Sequence, residues 1–532
     1  MKHTLPLLLL FLSGLFFPTF SQSWTKVQQW GGTGTEICSG LATGKDGAMV
    51  VSGSFEKQIS FDNKILTALG EEDIFIGKLK SNLEIAWVKQ AGSRLEDEVA
   101  ALTLDSDDNL VITGTYWQES NFDHIKLTAG ENPKAIFIAK YDFDGNILWA
   151  KTLNGNGLKG VEAVACDAEN NILLTGFFEK NLLIGDTAFT ARGNTDLFLA
   201  KFSSNGHLLW AVQQGKKGDT RGTALGLLTN GDIVVAGFYN DSTQIADTIL
   251  TANTSDQDAF IARFDKNGAP LWAKKAGGVF DSDVTKLVMD EADNIYITGY
   301  FVGVMRLSPT LSIQSSTGNS DCFLLKYQAD GTPLAARAFG GRLLEQAADL
   351  MIQNNMLFVC GFYQGDLVLD GFSLSTGNAL SGFVAGFDLN LRAKWLKNLA
   401  SDTFLYASNV VADAGGNILI GGSFIGKATL DSLQLNAATF DLFLARATFD
   451  MTSTRGIKQS GVFQVFPNPT AGKVFIQTEE TQFYIQVVDN QGKIILNAEN
   501  LRSLDFFDLP KGNYFITFRG NFTSQTFKMI WN

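Results

Sequence analysis

The chain has 532 residues, 45% of them hydrophobic and 18% charged, with a formal net charge of −13. That length exceeds one ordinary core and suits a repeat domain plus an accessory domain. The composition excludes a disordered or fibrous protein, and the acidic balance argues against nucleic acid and anionic membrane as partners.

In chain order, Lys2 precedes an apolar run over residues 5–17, and small residues stand at Thr19 and Ser21. This is the pattern of a signal peptide over residues 1–21, cleaved after Ser21. Its loss would remove Lys2 and take the formal charge from −13 to −14. The run is too short to span a bilayer, and no later segment reaches about 18 apolar residues, so no transmembrane segment is expected.

From there a β-type run ending in glycine recurs seven times, at Gly53, Gly114, Gly176, Gly237, Gly299, Gly361 and Gly422, in steps of 61 or 62 residues. A fixed period of strand-sized units means a closed or stacked repeat, because one small sheet cannot bury both its faces. In the second copy the runs 99–104, 110–116, 135–140 and 147–151 read as strands. They are separated by the polar turn 105–109, the long segment 117–134 and the turn 142–146. Four antiparallel strands per unit, repeated radially, describe a β-propeller blade. A third-strand phenylalanine recurs at Phe75, Phe137, Phe198, Phe260, Phe323, Phe383 and Phe443. A fourth-strand tryptophan recurs at Trp87, Trp149, Trp210, Trp272 and Trp395, with Ala335 in its place in the fifth copy. The seventh copy stops without that strand, and the missing piece stands before the first copy, at Trp24–Val27. The expectation is an all-β chain: a seven-bladed β-propeller over residues 22–450, closed by its N-terminal strand so that no sheet edge is left free, then a small β-sandwich tail.

Strand order sets the loops. One rim carries tight turns such as Asp144-Gly145 and Asn267-Gly268, and the other carries every long segment, such as 56–73 and 240–258. A rigid scaffold with long segments on one side makes that second rim the expected binding face. Acids near the start of the first strands, Glu36, Asp97, Asp219, Asp283, Glu345 and Asp402, could form an acidic mouth. Aromatics ending the second strands, Tyr116, Tyr239 and Tyr363, could stack on sugar rings or pack between blades.

Catalytic and metal chemistry finds little support. His3 would leave with the signal peptide, and His124 and His207 sit in different contexts, which argues against a His-based triad or His-rich metal site. The Asp-rich runs 105–109 and 142–146 lack the spaced ligands of a calcium loop and read as Asx turns. Cys38, Cys166, Cys322 and Cys360 fall in different copies without zinc spacing and read as buried free thiols. No catalytic, cofactor or metal residue is assigned.

The pattern of Asp196–Lys201, Asn205-Gly206 and Leu209-Trp210-Ala211 resembles the seven-bladed propeller repeats of exported bacterial proteins. After a polar linker, residues 451–461, the chain changes character over 462–532. Pro467-Asn468-Pro469 with Gly472, Asp489 with Gly492-Lys493, Gly512 with Tyr514, and finally Lys528 follow in order. This tail resembles the type A C-terminal sorting domain of the type IX secretion system of Bacteroidetes. The resemblance implies the type IX machinery as partner, passage through the outer membrane, and a mature protein that is secreted or held at the cell surface. The first functional reading is a non-catalytic binding or adhesion propeller with a glycan or surface-protein ligand. The alternatives are a polysaccharide hydrolase or lyase using rim carboxylates, and a structural protein of a surface assembly.

Overall fold

The computed structural model describes residues 22–449 except 131, 253–255, 279 and 317–318, and beyond them 464–466, 473–477, 483–490, 493–501, 503–505, 509–520 and 524–531. The expected signal peptide and linker lie outside the described residues, as do Pro467, Asn468, Pro469, Gly472 and Gly492. Every regular element among the described residues is a β-strand, and the chain falls into two compact units, 1–449 and 450–532.

The first unit is a series of antiparallel four-stranded meanders. In one of them Asp97–Leu104, Leu110–Trp117, Lys134–Tyr141 and Ile147–Leu153 pair in that order. Its two middle strands are apolar on both faces: Leu110, Val111, Ile112, Ile136, Phe137, Ile138 and Ala139 are all fully buried. They read as continuous hydrophobic runs because a neighbouring meander covers each face. One apolar cluster accordingly joins Val50, Ile74 and Ile76 to Leu110, Ile112 and Phe137 of the next meander.

The Asp-rich runs are turn caps. Asp105 Oδ1 accepts the N–H groups of Asp107 and Asn109, both at 2.9 Å, and Asp142 Oδ1 accepts those of Asp144 and Asn146 at 3.0 and 2.8 Å. Gly145 supplies the positive φ of 84° that this turn requires.

The first strands, Glu36–Thr43, Asp97–Leu104, Lys159–Cys166, Thr220–Leu227, Ser282–Met289, Glu345–Gln353 and Phe404–Ala412, pack side by side in chain order, and the last returns against the first. The last meander takes its fourth strand from the other end of the chain. Gln22–Gly32 runs antiparallel to Leu433–Phe449, with Trp24 opposite Ala447 and Trp30 opposite Leu442. Trp24 is 6% exposed and belongs to the cluster that includes Trp395, Ile418 and Phe443.

Side chains tie each meander to the next. Trp87 Nε1 donates to Phe143 O at 3.4 Å and Trp149 Nε1 to Ser204 O at 3.1 Å, each in the following meander's third turn. Lys140 makes a 2.7 Å ion pair with Asp105 of its own meander and donates to Ser204 O of the next at 3.2 Å. Arg263 does the same with Asp232 and Ala329 O, and Arg446 with Asp413 and Ser81 O, the latter joining the last meander to the first. Each first strand carries a β-bulge, and three bulge hydroxyls reach the next first strand: Thr223 to Val284 O, Thr285 to Ala347 O at 2.9 Å, and Ser408 to Cys38 O at 2.9 Å. Cys38, Cys322 and Cys360 are buried, Cys166 is half-buried, and all four are free thiols.

In the second unit Gln464–Phe466, Lys473–Gln477 and Ser503–Asp505 form one sheet. Ile494–Glu499, Phe483–Asp489, Gly512–Gly520 and Ser524–Trp531 form another. Phe483, Ile485, Val487, Tyr514, Ile516 and Phe518 bury one face of the larger sheet, and Leu504 of the smaller joins that cluster.

Candidate binding face

The segments after the second strands are not the long loops the sequence suggested. Four are β-hairpins: Glu119–Phe122 with Ile125–Thr128, Asn181–Ile184 with Thr187–Thr190, Ser242–Ile245 with Thr248–Thr251, and Val304–Arg306 with Ser312–Gln314. The others extend the second and third strands themselves, as in Met49–Phe61 with Lys64–Leu79. Each then pairs with the end of the preceding fourth strand, at Gly31↔Ser60, Gly92↔Asn121, Asn154↔Leu183, Lys217↔Ser242, Gly277↔Arg306, Gly340↔Val368 and Ala400↔Thr429. Their alternate residues are core: Ser120, Phe122, Ile184, Ile245 and Leu367 are fully buried. The second rim is therefore stitched rather than loose.

This placement removes several residues from an exposed mouth. Glu36, Asp97 and Glu345 are fully buried, each paired in register with the second-strand aromatic Phe55, Tyr116 or Tyr363. Burial, reinforced by Asp441, pushes Glu36 up to about 8; burial and Asp321 push Glu345 to about 8, against the pull of the Gly341 N–H. Burial also takes Asp97 to about 7 despite the hydrogen bond from Ser93. Asp219, one residue outside its first strand, accepts from Thr195 Oγ1 and Asn240 Nδ2, both at 2.9 Å. Asp402 is exposed and lies before its strand, where hydrogen bonds from the Lys427 N–H and Thr403 hold it below the usual carboxylate range. Tyr116, Tyr239 and Tyr363 are fully buried, so no ring face is open to a sugar; Tyr116 OH contacts Thr152 Oγ1 at 2.7 Å and Tyr363 OH donates to Asn398 Oδ1 at 3.0 Å.

Asp283 differs. It sits one residue further along its strand, opposite Tyr300, and faces the inner wall of the ring. There the Arg221 guanidinium stacks 3.9 Å from the Phe177 ring and 5.7 Å from that of Phe238. Arg221 Nε is buried without a hydrogen-bond partner. Glu162, the bulge residue of Lys159–Cys166, stands beside this group with its side chain water-accessible, yet the crowded wall raises its pKa against the opposing pull of Arg221. Burial pushes Asp283 to about 7, with the Val284 N–H and Arg221 opposing and Glu162 adding, and pushes Tyr300 to about 12. Sequence reasoning missed Glu162, Arg221 and Tyr300. Aligning the first strands on their bulges would have exposed Arg221, since the equivalent positions read Ile37, Glu98, Gly160, Arg221, Asp283, Gln346 and Tyr406.

Among the described residues, one acidic group has metal-like spacing: Glu72, Glu96 and Glu98, whose oxygens lie within 4.8 Å of one another. Trp117 Nε1 already donates to Glu96 at 3.1 Å, and Thr115 Oγ1 to Glu98 at 3.3 Å. His124 lies in the turn of the Glu119–Phe122 hairpin and His207 in a third turn, well apart in the repeat.

In the tail, Asp489 Oδ1 accepts the Lys493 N–H at 2.9 Å and Tyr514 OH donates to Pro510 O at 2.5 Å, so both motif residues hold turns. Lys528 lies in the strand Ser524–Trp531. Residues 464–532 match the secretion system C-terminal sorting domain. This tail marks the chain for the type IX secretion machinery and makes it a secreted or cell-surface protein. A WD repeat-containing protein of Acanthamoeba polyphaga mimivirus is 24% identical over 68% of the chain and 32% of its own length. The regulatory protein FlaEY of Caulobacter vibrioides is 25% identical over 35% of the chain and 20% of its own length. The chain thus spans about a third or less of these relatives. Among solved structures, the phage phi92 endosialidase aligns over 96% of the chain and 87% of its own with 7% identity and a TM-score of 0.38. An extracellular domain of a B. thetaiotaomicron hybrid two-component system covers 95% of the chain and 100% of its own at 8% identity and a TM-score of 0.16. At such scores neither ligand nor activity carries across.

Proposed function

We propose that the chain is a type IX-exported, seven-bladed β-propeller closed by its N-terminal strand, acting without catalysis as a surface or secreted binding module. Its expected division is a signal peptide over 1–21, the propeller over 22–450, a linker over 451–461 and a type A sorting sandwich over 462–532. Closure is supported by the pairing of Trp24 with Ala447 and by the return of the last first strand against the first. The binding reading rests on one observation: Arg221, stacked on Phe177 with an unpaired Nε, beside Glu162, Asp283 and Tyr300 on the inner wall. A guanidinium fork and carboxyl groups on an aromatic floor suit a polar ligand, a glycan or an exposed segment of a surface protein, better than an apolar one.

Two experiments test the reading. The full chain is screened against glycans and surface proteins beside Arg221→Ala; binding without turnover that weakens at least tenfold in the variant supports it, and equal binding by both contradicts it. Deletion of 464–532 is expected to hold a folded first unit in the periplasm; its arrival at the surface would sink the export reading.

A further inference from the structure

We propose that three seams of the ring form a pH-sensitive device, in which the carboxyl pairs Asp441–Glu36, Asp73–Asp97 and Asp321–Glu345 hold protons in the closed ring and loosen it when they ionise. The pairs arise from register. The first-strand residue and the third-strand residue of a meander flank the same second-strand aromatic, as Glu36 and Asp73 flank Phe55. Packing then sets the third-strand aspartate of one meander against the first-strand acid of the next.

The three sites share one construction. Glu36, Asp97, Asp73 and Glu345 are fully buried, and Asp321 and Asp441 are 4% and 9% exposed. A fourth-strand glycine lies against each aspartate: Gly31 at Asp441, Gly92 at Asp73 and Gly340 at Asp321. A Cβ at Gly340 would stand 2.8 Å from Asp321 Oδ1 and 2.9 Å from Glu345 Oε2, so both carboxyl groups converge on that point. Ser93 stands beside the second pair, donating its hydroxyl to Asp97 Oδ2 at 3.2 Å. Both oxygens of Glu36, and one each of Asp73, Asp97 and Glu345, have no hydrogen-bond partner. Among the described residues no lysine or arginine forms an ion pair with any of the six.

The titratable neighbours add no cation. Glu36 faces Asp441 and Glu56, Asp97 faces Asp73 and Tyr116, and Glu345 faces Asp321 and Cys322. Two adjacent buried carboxylates cannot both stay charged, so the pair keeps a proton. Elsewhere the same position differs. Thr220 replaces the acid beside Asp196, and Ser282 replaces it beside Asp258, which Lys275 pairs at 2.6 Å.

The direction of the effect follows from the raised values. Unfolded carboxyls ionise near pH 4, whereas the folded pairs keep protons until about 7 to 8. Their stabilising contribution is complete below about pH 4 and is lost as pH rises through the folded values.

The test follows thermal unfolding of the full chain from pH 5 to pH 9 for the wild type and for Glu36→Gln/Asp97→Asn/Glu345→Gln. The wild-type Tm is expected to fall steeply between pH 5 and 8. The triple variant should give a flatter profile that crosses above the wild type by pH 8, and its unfolding at pH 6 should release about three fewer protons. Should the triple variant fail to fold, Glu345→Gln alone is read for roughly a third of that slope change. Profiles that stay parallel overturn the proposal. So does a wild-type Tm that rises with added calcium at pH 8 and falls with a chelator, since the pairs would then hold a cation.

Discussion

Replacing Lys140 with methionine should destabilise the ring more than any single exposed charge could. Its side chain is 4% exposed and that of Asp105 fully buried, and their 2.7 Å ion pair is the link between one meander's first turn and Ser204 of the next. Removing one partner of a buried pair costs about 3–5 kcal/mol, because the other charge is left without compensation. Asp105 would keep donors from Asp107 and Asn109, and Ser204 O would keep Trp149 Nε1, so the low end, about 3 kcal/mol, is expected. Acid should sharpen the contrast. Burial alone would raise Asp105, but Lys140 and Asn109 overcome it and hold the carboxyl below its usual range. That contribution is present above the unfolded value near 4 and is lost as pH falls through the folded one, so the variant should lose part of the wild type's acid transition. Urea unfolding followed by tryptophan fluorescence measures both effects. Lys80→Met, which breaks the exposed Lys80–Glu84 pair, serves as the reference and should stay within about 0.5 kcal/mol. A cost for Lys140→Met below about 1 kcal/mol, or no greater than that of Lys80→Met, would refute the reasoning.

Trp24→Ala should cost about 3–5 kcal/mol, since it empties a buried site in the seam between the two ends of the first unit, and Trp149→Ala, at a half-buried site, should cost less. Equal stability of Trp24→Ala and wild type would contradict the strand pairing. Gly331 and Gly371 both have positive φ, 81° and 90°, but a Cβ at Gly331 would stand 2.9 Å from Trp272 while one at Gly371 meets nothing within 4 Å. Gly331→Ala should therefore lower the urea midpoint clearly more than Gly371→Ala, which bears only the backbone cost of about 1–2 kcal/mol.

The features legible in the sequence were those that most copies repeat. The glycine of each second strand, the third-strand phenylalanine and the fourth-strand tryptophan share one period, so their pairing follows from a single unit. The N-terminal strand was legible because a repeat lacking its last strand must recover it elsewhere, but the register sets Lys26, not Trp24, at the tryptophan position, with Trp24 equivalent to Ile147. What failed depends on contacts between copies. The segment around Phe122 reads as a loop in isolation and becomes a hairpin only against Gly92 of the preceding meander. Glu36 and Asp402 look alike as acids near a strand start, yet a few residues of register bury one and expose the other. Tyr116, Tyr239 and Tyr363 recur because neighbouring meanders cover them, which is also what closes them to a ligand. Arg221 and Glu162 escaped notice because they depart from the repeat, and a period finds what is constant.

Closure of the ring by the chain's own beginning is the claim on which the rest depends, and a cysteine pair at Ser23 and Thr448 tests it most directly. The two residues are exposed and directly opposite in the antiparallel pair, and Cys38, Cys322 and Cys360 are buried out of the way. In Ser23→Cys/Thr448→Cys, mild oxidation of the folded protein should form one intramolecular disulfide that closes nearly the whole first unit into a loop, shifts its mobility on a non-reducing gel and raises its Tm. Two thiols that remain free in a folded protein, or that link only between molecules, would contradict the closed ring.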